Sequence, residues 1–276
     1  TRIGNKVGLR LFGNLTYSKN KIVFRDEPAM QYAYQKSEGT RYGEFYGYIA
    51  EGYFQSEEEI KKSPRQMREL APGDIKYKDL NDDGVIDAND QCYLGKSWFP
   101  SWSYGMGFNI NYHNFDLALF FQGVSDVSIM ANGGSIDTGN GDWGASGVGI
   151  VPFTGMGLNP SNVITKALDR WTADNPRADA WYPRMTANAT TNDNNYVNST
   201  HWLKDGSYLR LKQASLGYTL ENKKLMDKGI EYLYFYLSGQ NLLTFSKFKL
   251  WDPELGSNGA KYPLSRMVTL GMRVSF

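Results

Sequence analysis

One cysteine, Cys92, stands among 276 residues, so no disulfide can close within the chain and a disulfide scaffold is excluded. The compartment stays open, because many envelope β-barrels use no disulfide. There are two histidines, His113 and His201. Neither has a Ser or Cys partner at a recognisable motif, and both read as surface or interfacial residues. No run of about 18 apolar residues occurs, which excludes a transmembrane helix but leaves a β-barrel possible, since barrel strands alternate. Neither charge sign is in excess. At a net charge of +1 there is no electrostatic footprint for nucleic acid or for an anionic membrane surface. The opening Thr1-Arg2-Ile3-Gly4-Asn5-Lys6 is no charged-then-apolar leader, so the chain reads as a fragment whose start lies upstream.

Aromatic residues are plentiful at 14%, with 19 Tyr, 14 Phe and 7 Trp, and there are 29 Gly. They fall into a period of two. From Tyr104 to Tyr112 every even position is large and apolar or aromatic, and every odd position is Gly or Asn. Past His113-Asn114 the parity inverts, with Phe115, Leu117, Leu119 and Phe121 on one side, as across a tight hairpin. Similar runs predict strands near 4–24, 102–113, 114–126, 203–220, 231–245 and 263–276. In the fourth run the apolar parity slips near Gln213, which a bulge or a crossing from membrane to solvent would produce. Gly, Asn, Ser and Gln crowd the polar side, as a wet lumen would require, and Tyr and Phe sit at strand ends, as in an aromatic girdle.

The connections alternate between long (25–101, 127–202, 246–262) and short (His113-Asn114, Glu221–Gly229). Outer-membrane barrels alternate long extracellular loops with short periplasmic turns in this way. The fold class expected is therefore all-β, an antiparallel transmembrane β-barrel. These six strands fall short of the roughly eight that close the smallest barrel, so further strands must come from elsewhere.

The first long loop carries an acidic run. Counted from Asp79, oxygen-bearing side chains stand at positions 1, 3, 5, 9 and 12: Asp79, Asn81, Asp83, Asp87 and Asp90. Gly84 allows a sharp turn, the Val85 carbonyl supplies a further oxygen, and Ile86 anchors the loop. Hard oxygen ligands at this spacing suit calcium, as a structural clip. The alternative is an Asp/Asn-rich turn cluster without metal. The loops also hold Trp98, Phe99, Trp102, Trp143, Trp171 and Trp181, which either stack on cargo or simply pack the loops. Cys92 reads as a small buried side chain, no carboxylate pair stands out, and nothing points to an enzyme.

Several words resemble the SusC/RagA family of TonB-linked outer-membrane transporters. They are Gly47-Tyr48-Ile49-Ala50-Glu51-Gly52-Tyr53-Phe54-Gln55, Pro72-Gly73-Asp74-Ile75-Lys76-Tyr77-Lys78-Asp79, Phe115-Asp116-Leu117-Ala118-Leu119-Phe120-Phe121-Gln122-Gly123, Arg170-Trp171-Thr172, Tyr208-Leu209-Arg210-Leu211-Lys212, Leu216-Gly217-Tyr218-Thr219-Leu220 and Ser238-Gly239-Gln240-Asn241-Leu242. The resemblance runs from about residue 4 to Phe276. It implies the last strands of a 22-stranded barrel whose plug and TonB-contacting segment lie outside this chain. It also implies a SusD-like lipoprotein lid, glycan or oligopeptide cargo, and TonB-driven import across the outer membrane of a Gram-negative bacterium. Phe276, a terminal aromatic on an amphipathic strand, would be the signal read by the barrel-assembly machinery. A secreted, calcium-stabilised β-sandwich binding glycans is the alternative; it explains neither the loop alternation nor the apolar last strand.

Overall fold

The computed structural model describes residues 2–3, 7–132, 164–185, 194–259 and 262–276. In chain order its strands are β1 (Arg2–Ile3), β2 (Val7–Tyr17), β3 (Glu44–Gly47), β4 (Ala50–Tyr53), β5 (Ile75–Tyr77), β6 (Cys92–Ser97) and β7 (Trp102–Tyr112). Then follow β8 (Phe115–Ser125), β9 (Ser128–Met130), β10 (Leu203–Asp205), β11 (Tyr208–Leu220), β12 (Tyr232–Ser246) and β13 (Met267–Ser275). A short helix α1 (Glu57–Lys62) lies in the first long connection and α2 (Lys223–Met226) in a short one. One antiparallel sheet of seven strands, in the order β1-β2-β7-β8-β11-β12-β13, forms the wall. Three two-stranded sheets, β3 with β6, β4 with β5 and β9 with β10, belong to the long connections.

Register shows how sequence parity becomes two different faces. Leu9, Ile110, Leu117, Leu216, Leu237 and Leu270 pair in succession across β2, β7, β8, β11, β12 and β13. One residue along, on the opposite face, the row is Gly8, Asn111, Asp116, Gly217, Tyr236 and Gly271. The apolar face is uncovered among the described residues: Leu15 is 67% exposed, Val268 68% and Leu270 80%. A soluble sandwich would bury such a face against a second sheet.

The buried core lies elsewhere, in the long connections. Phe45, Tyr48, Tyr53, Ile75, Tyr77, Ile86, Met130, Trp171, Tyr182 and Trp202 form its centre. Residues from 25–101 and 127–202 thus share one hydrophobic unit seated at one end of the wall.

Several expected boundaries shift. The first strand stops at Tyr17, not 24, because Ser18 already hydrogen-bonds to Ser101 and Ile22 pairs with Thr40 in the loop layer. The strand expected over 203–220 is two. Leu203–Asp205 pairs with β9, and the wall strand begins only at Tyr208, after Gly206 donates to Val127. The last strand starts at Met267 rather than 263. The parity slip near Gln213 is a bulge: the register jumps between Leu211 and Gln213 against both neighbours. Against β8 Lys212 is the extra residue, and its insertion keeps Leu209, Leu211, Leu216 and Tyr218 on the same apolar face; against β12 the extra residue lies in β12, between Gln240 and Leu243.

Candidate functional site

The wall's two faces make different surfaces. On the apolar face an aliphatic middle is bracketed by aromatic rows. Near the short turns these are Tyr112, Phe115, Tyr218 and Phe235, paired in succession. At the far ends they are Tyr17 beside Trp102 (ring centroids 4.5 Å apart), Tyr104 and Phe245. From Val7 to Tyr17 the strand rises about 33 Å, which at a tilt near 40° spans roughly 25 Å, the height of an outer-membrane barrel's apolar band. Phe276 follows in the same outward series and is 85% exposed.

The opposite face is polar and low. A Cβ on Gly107 would overlap the Phe12 ring, so the glycine lets Phe12 lie flat on the wall and stack with Phe120 at 6.2 Å. The Arg10 guanidinium sits 5.8 Å from the Phe12 ring. Nearer the short turns, Tyr234 donates to Asp116 at 3.0 Å and Arg273 lies over the Tyr234 ring.

The loop layer is held by buried polar contacts. Asp74 accepts from Arg184 at 2.9 Å and from Asn195 at 2.8 Å, with the backbone N–H of Ala71 at 2.9 Å. Gln66 donates to Asn194 and to the Ile75 carbonyl, both at 2.8 Å. His201, expected to be surface or interfacial, is enclosed between Tyr53 and Trp202, its Nε2 3.1 Å from the Trp181 carbonyl. Burial pulls its pKa down to about 4, so it is neutral at pH 7 and acts as a bridge. Cys92 is buried, and burial pushes its thiol up, which makes it inert.

The acidic loop is wound through side-chain-to-backbone bonds. Asp79 accepts from the N–H of Gly84 (2.8 Å), Asn81 from Asp83 (3.2 Å), Asp83 from Val85 (2.9 Å) and Asp87 from Asn89 (2.7 Å). Asp82 and Gly84 take positive φ (58° and 80°), and Ile86 is buried in the loop core. Asp90 is buried, both its oxygens committed to the N–H groups of Leu80 and Asp87. Among the described residues no three His, Cys, Asp or Glu side chains converge as a ready metal cluster. One buried oxygen, Oδ1 of Asp79, nevertheless has no hydrogen-bond partner. A carboxylate oxygen bonded to one N–H keeps a further lone pair, so this winding is compatible with an ion.

The tryptophans separate. Trp98 is partly exposed, edge-on to Phe45 and beside Phe99. Trp102 is on the outward apolar face, away from the polar one. Trp171 is buried against Gly73 and belongs to the loop core. Trp181 is half-buried, with Lys204 over its ring at 5.2 Å. Trp143 lies outside the described residues.

No protein-family model matches the chain. It is 30% identical to TonB-dependent receptor P26 of Formosa agariphila over 241 residues, 82% of this chain and 22% of that one. With TonB-dependent receptor P3 of the same organism it shares 28% over 255 residues, 87% of this chain and 22% of the relative. The RagAB peptide importer in its closed-closed state superposes on all of this chain and 28% of that one, with a TM-score of 0.68 and 21% identity. The open-open state gives 0.66 and 20%. The chain belongs to the TonB-dependent receptors. It spans about a fifth of the length of these two curated relatives. Relatives and structural neighbours alike are named as receptors or importers, none as an enzyme.

In this TonB-dependent receptor segment, sequence reading passed over two features. Trp202, fully buried at the heart of the loop core, was missed because a lone Trp beside His201 carries no periodic signal. The lysines that line one cleft with Trp181 come from separate segments, and no motif announces them.

Proposed function

We propose that the chain supplies the last wall strands and the extracellular loops of a 22-stranded outer-membrane barrel. The whole protein would import glycans or oligopeptides actively, together with a SusD-like surface lipoprotein. TonB would act through the rest of the protein, which also provides the plug. The wall itself carries this reading: one sheet bears a girdled apolar face about 25 Å tall and, on its other side, a polar face of Gly, Asn, Ser and flat-lying rings. Lipid satisfies the first face and a wet, plugged lumen the second. The β-sandwich alternative needs a covering sheet, and none covers this face among the described residues. Phe276 is the residue we assign to recognition by the barrel-assembly machinery, and Trp98 and Trp181 are the tryptophans best placed to reach cargo.

Orientation is tested by tagging. A tag inserted within 57–62 is expected to label on intact cells, and one within 222–228 only after the outer membrane is opened. The reverse pattern would overturn the topology.

We assign calcium to the loop Asp79–Asp90, held by Asp79, Asn81, Asp83, the Val85 carbonyl and Asp87, with Asp90 closing the loop from beneath. The unpaired Asp79 oxygen supports this. Calcium at a hundred times its Kd would stabilise the loop layer by about 2.7 kcal/mol. A calcium-dependent rise in the loop layer's protection from protease is expected, and Asp79→Ala should remove it. Equal protection in calcium and in chelator would leave the Asp/Asn turn cluster as the explanation.

A further inference from the structure

A cleft of about 740 Å³ opens between residues 164–169, the β10 strand and residues 247–250. Its walls carry Lys166, Lys204, Lys247 and Lys249 against Asp169 and Asp205, a formal surplus of two positive charges (four lysines less two aspartates). The carboxylates are already engaged. Asp169 takes Lys166 at 2.7 Å and Arg177 at 3.3 Å, and Asp205 accepts from the Ser207 N–H at 2.9 Å. Lys247, 88% exposed, stands 3.9 Å from Asp205, at the loose end of an ion pair.

Lys204 is differently placed. It is half-buried, packs on Trp181, and donates to the His201 carbonyl at 2.7 Å. Among the described residues it has no carboxylate partner. Leu168, Phe248 and Leu250 line the remaining wall. A half-buried ammonium held by a neutral carbonyl and a ring face, with no counter-charge, is under-compensated, and an arriving anion would be worth more here than on an open surface. Lys249 is exposed on the facing wall, without an ion pair among the described residues.

We propose that this cleft is an anion subsite, in which Lys204 and Lys249 take a carboxylate carried on an oligomeric cargo while the apolar wall packs its neighbouring unit. A carboxylate is the group that acidic peptides and uronic-acid sugars share, so the inference deepens the import reading and rests on it for the word cargo. The charged and titratable groups facing Lys204 are Lys166 and Asp169 on one wall, His201 and Asp205 on its own, and Lys247 and Lys249 opposite. Burial, with Lys166 nearby, pulls the Lys204 amine down to about 8. Binding needs the ammonium, so affinity is present below that value and lost as pH rises through it.

The test uses the full-length receptor in detergent and titrates four probes: triglutamate and its triamide, trigalacturonate and its methyl ester. At least one acid is expected to bind about tenfold tighter than its neutral counterpart. Lys204→Met should abolish that preference, Lys249→Met should reduce it, and the preference should fade between pH 7 and 9. Which acid wins identifies the source of the carboxylate. Equal binding of acids and neutral forms, or a preference that survives the Lys204→Met/Lys249→Met double variant, would overturn the proposal. Lys249 is exposed, so its single variant keeps the test valid even where Lys204→Met disturbs packing. Binding is read on purified protein, so a failure here is separable from a failure of import, which uptake by cells measures.

Discussion

Leu237→Arg is expected to cost about 2–4 kcal/mol and to remove most of the protein from the outer membrane, whereas Ser238→Arg, one residue along, should cost under about 1 kcal/mol. Leu237 is the centre of the aliphatic row, paired with Leu216 on one side and Leu270 on the other. It is 48% exposed, so by packing alone an arginine would fit there easily. In a soluble sheet, placing a charge on an exposed leucine is neutral or improves solubility. The cost arises only where the solvent is hydrocarbon, since a guanidinium at mid-depth must deform the bilayer or lose its hydration. Ser238 pairs with Ser215 and Thr269 on the polar face, where water or the plug receives the charge. Assembled protein is read by heat-modifiable mobility of outer-membrane fractions, and stability by denaturant unfolding in lipid. Equal behaviour of the two variants would mean that neither face meets lipid.

The same rows explain what could be read from the sequence. A wall strand in a barrel faces hydrocarbon on one side and water on the other, so every second residue is constrained, and Tyr104–Tyr112 shows it without interruption. The signal weakens where one constraint ceases. At Lys212 the bulge exchanges odd for even, and the residues carry the slip, but not whether the strand bulges or leaves the membrane. Beyond Tyr17 and before Tyr208 the chain leaves the wall sheet and packs into a loop layer. There extended segments such as Leu203–Asp205 pair with Ser128–Met130 over a large sequence separation. Nothing local marks that pairing. The acidic loop was legible as a winding, because Asp and Asn side chains satisfy backbone N–H groups at fixed offsets. The convergence of Lys166, Lys204 and Lys249 was not, because three unrelated segments make it.

Asp74→Ala is expected to unlatch the loop layer while leaving the wall intact. Asp74 is buried at 1% exposure and is the junction of three segments. Its carboxylate receives Arg184 and Asn195 from the second long connection and the Ala71 N–H from the first. Removing it strands the Arg184 guanidinium and a buried Asn195 amide together. Loss of one partner from a buried pair costs about 3–5 kcal/mol, more than a layer of this size can absorb without opening locally. The wall should not feel it, because the seven strands are held by their own ladder and none of the three contacts involves them. Hydrogen exchange should therefore show lost protection at Ile75–Tyr77 and around Trp202, with β8, β11 and β12 unchanged. Asp74→Asn should fall between, since an amide keeps the hydrogen bond from the Ala71 N–H but not the charge that Arg184 needs. If the alanine variant exchanged like the parent throughout, the two long connections would be joined by their apolar core alone. In that case Phe45, Trp171 and Trp202, not the polar latch, would set the shape of the loop layer above the wall.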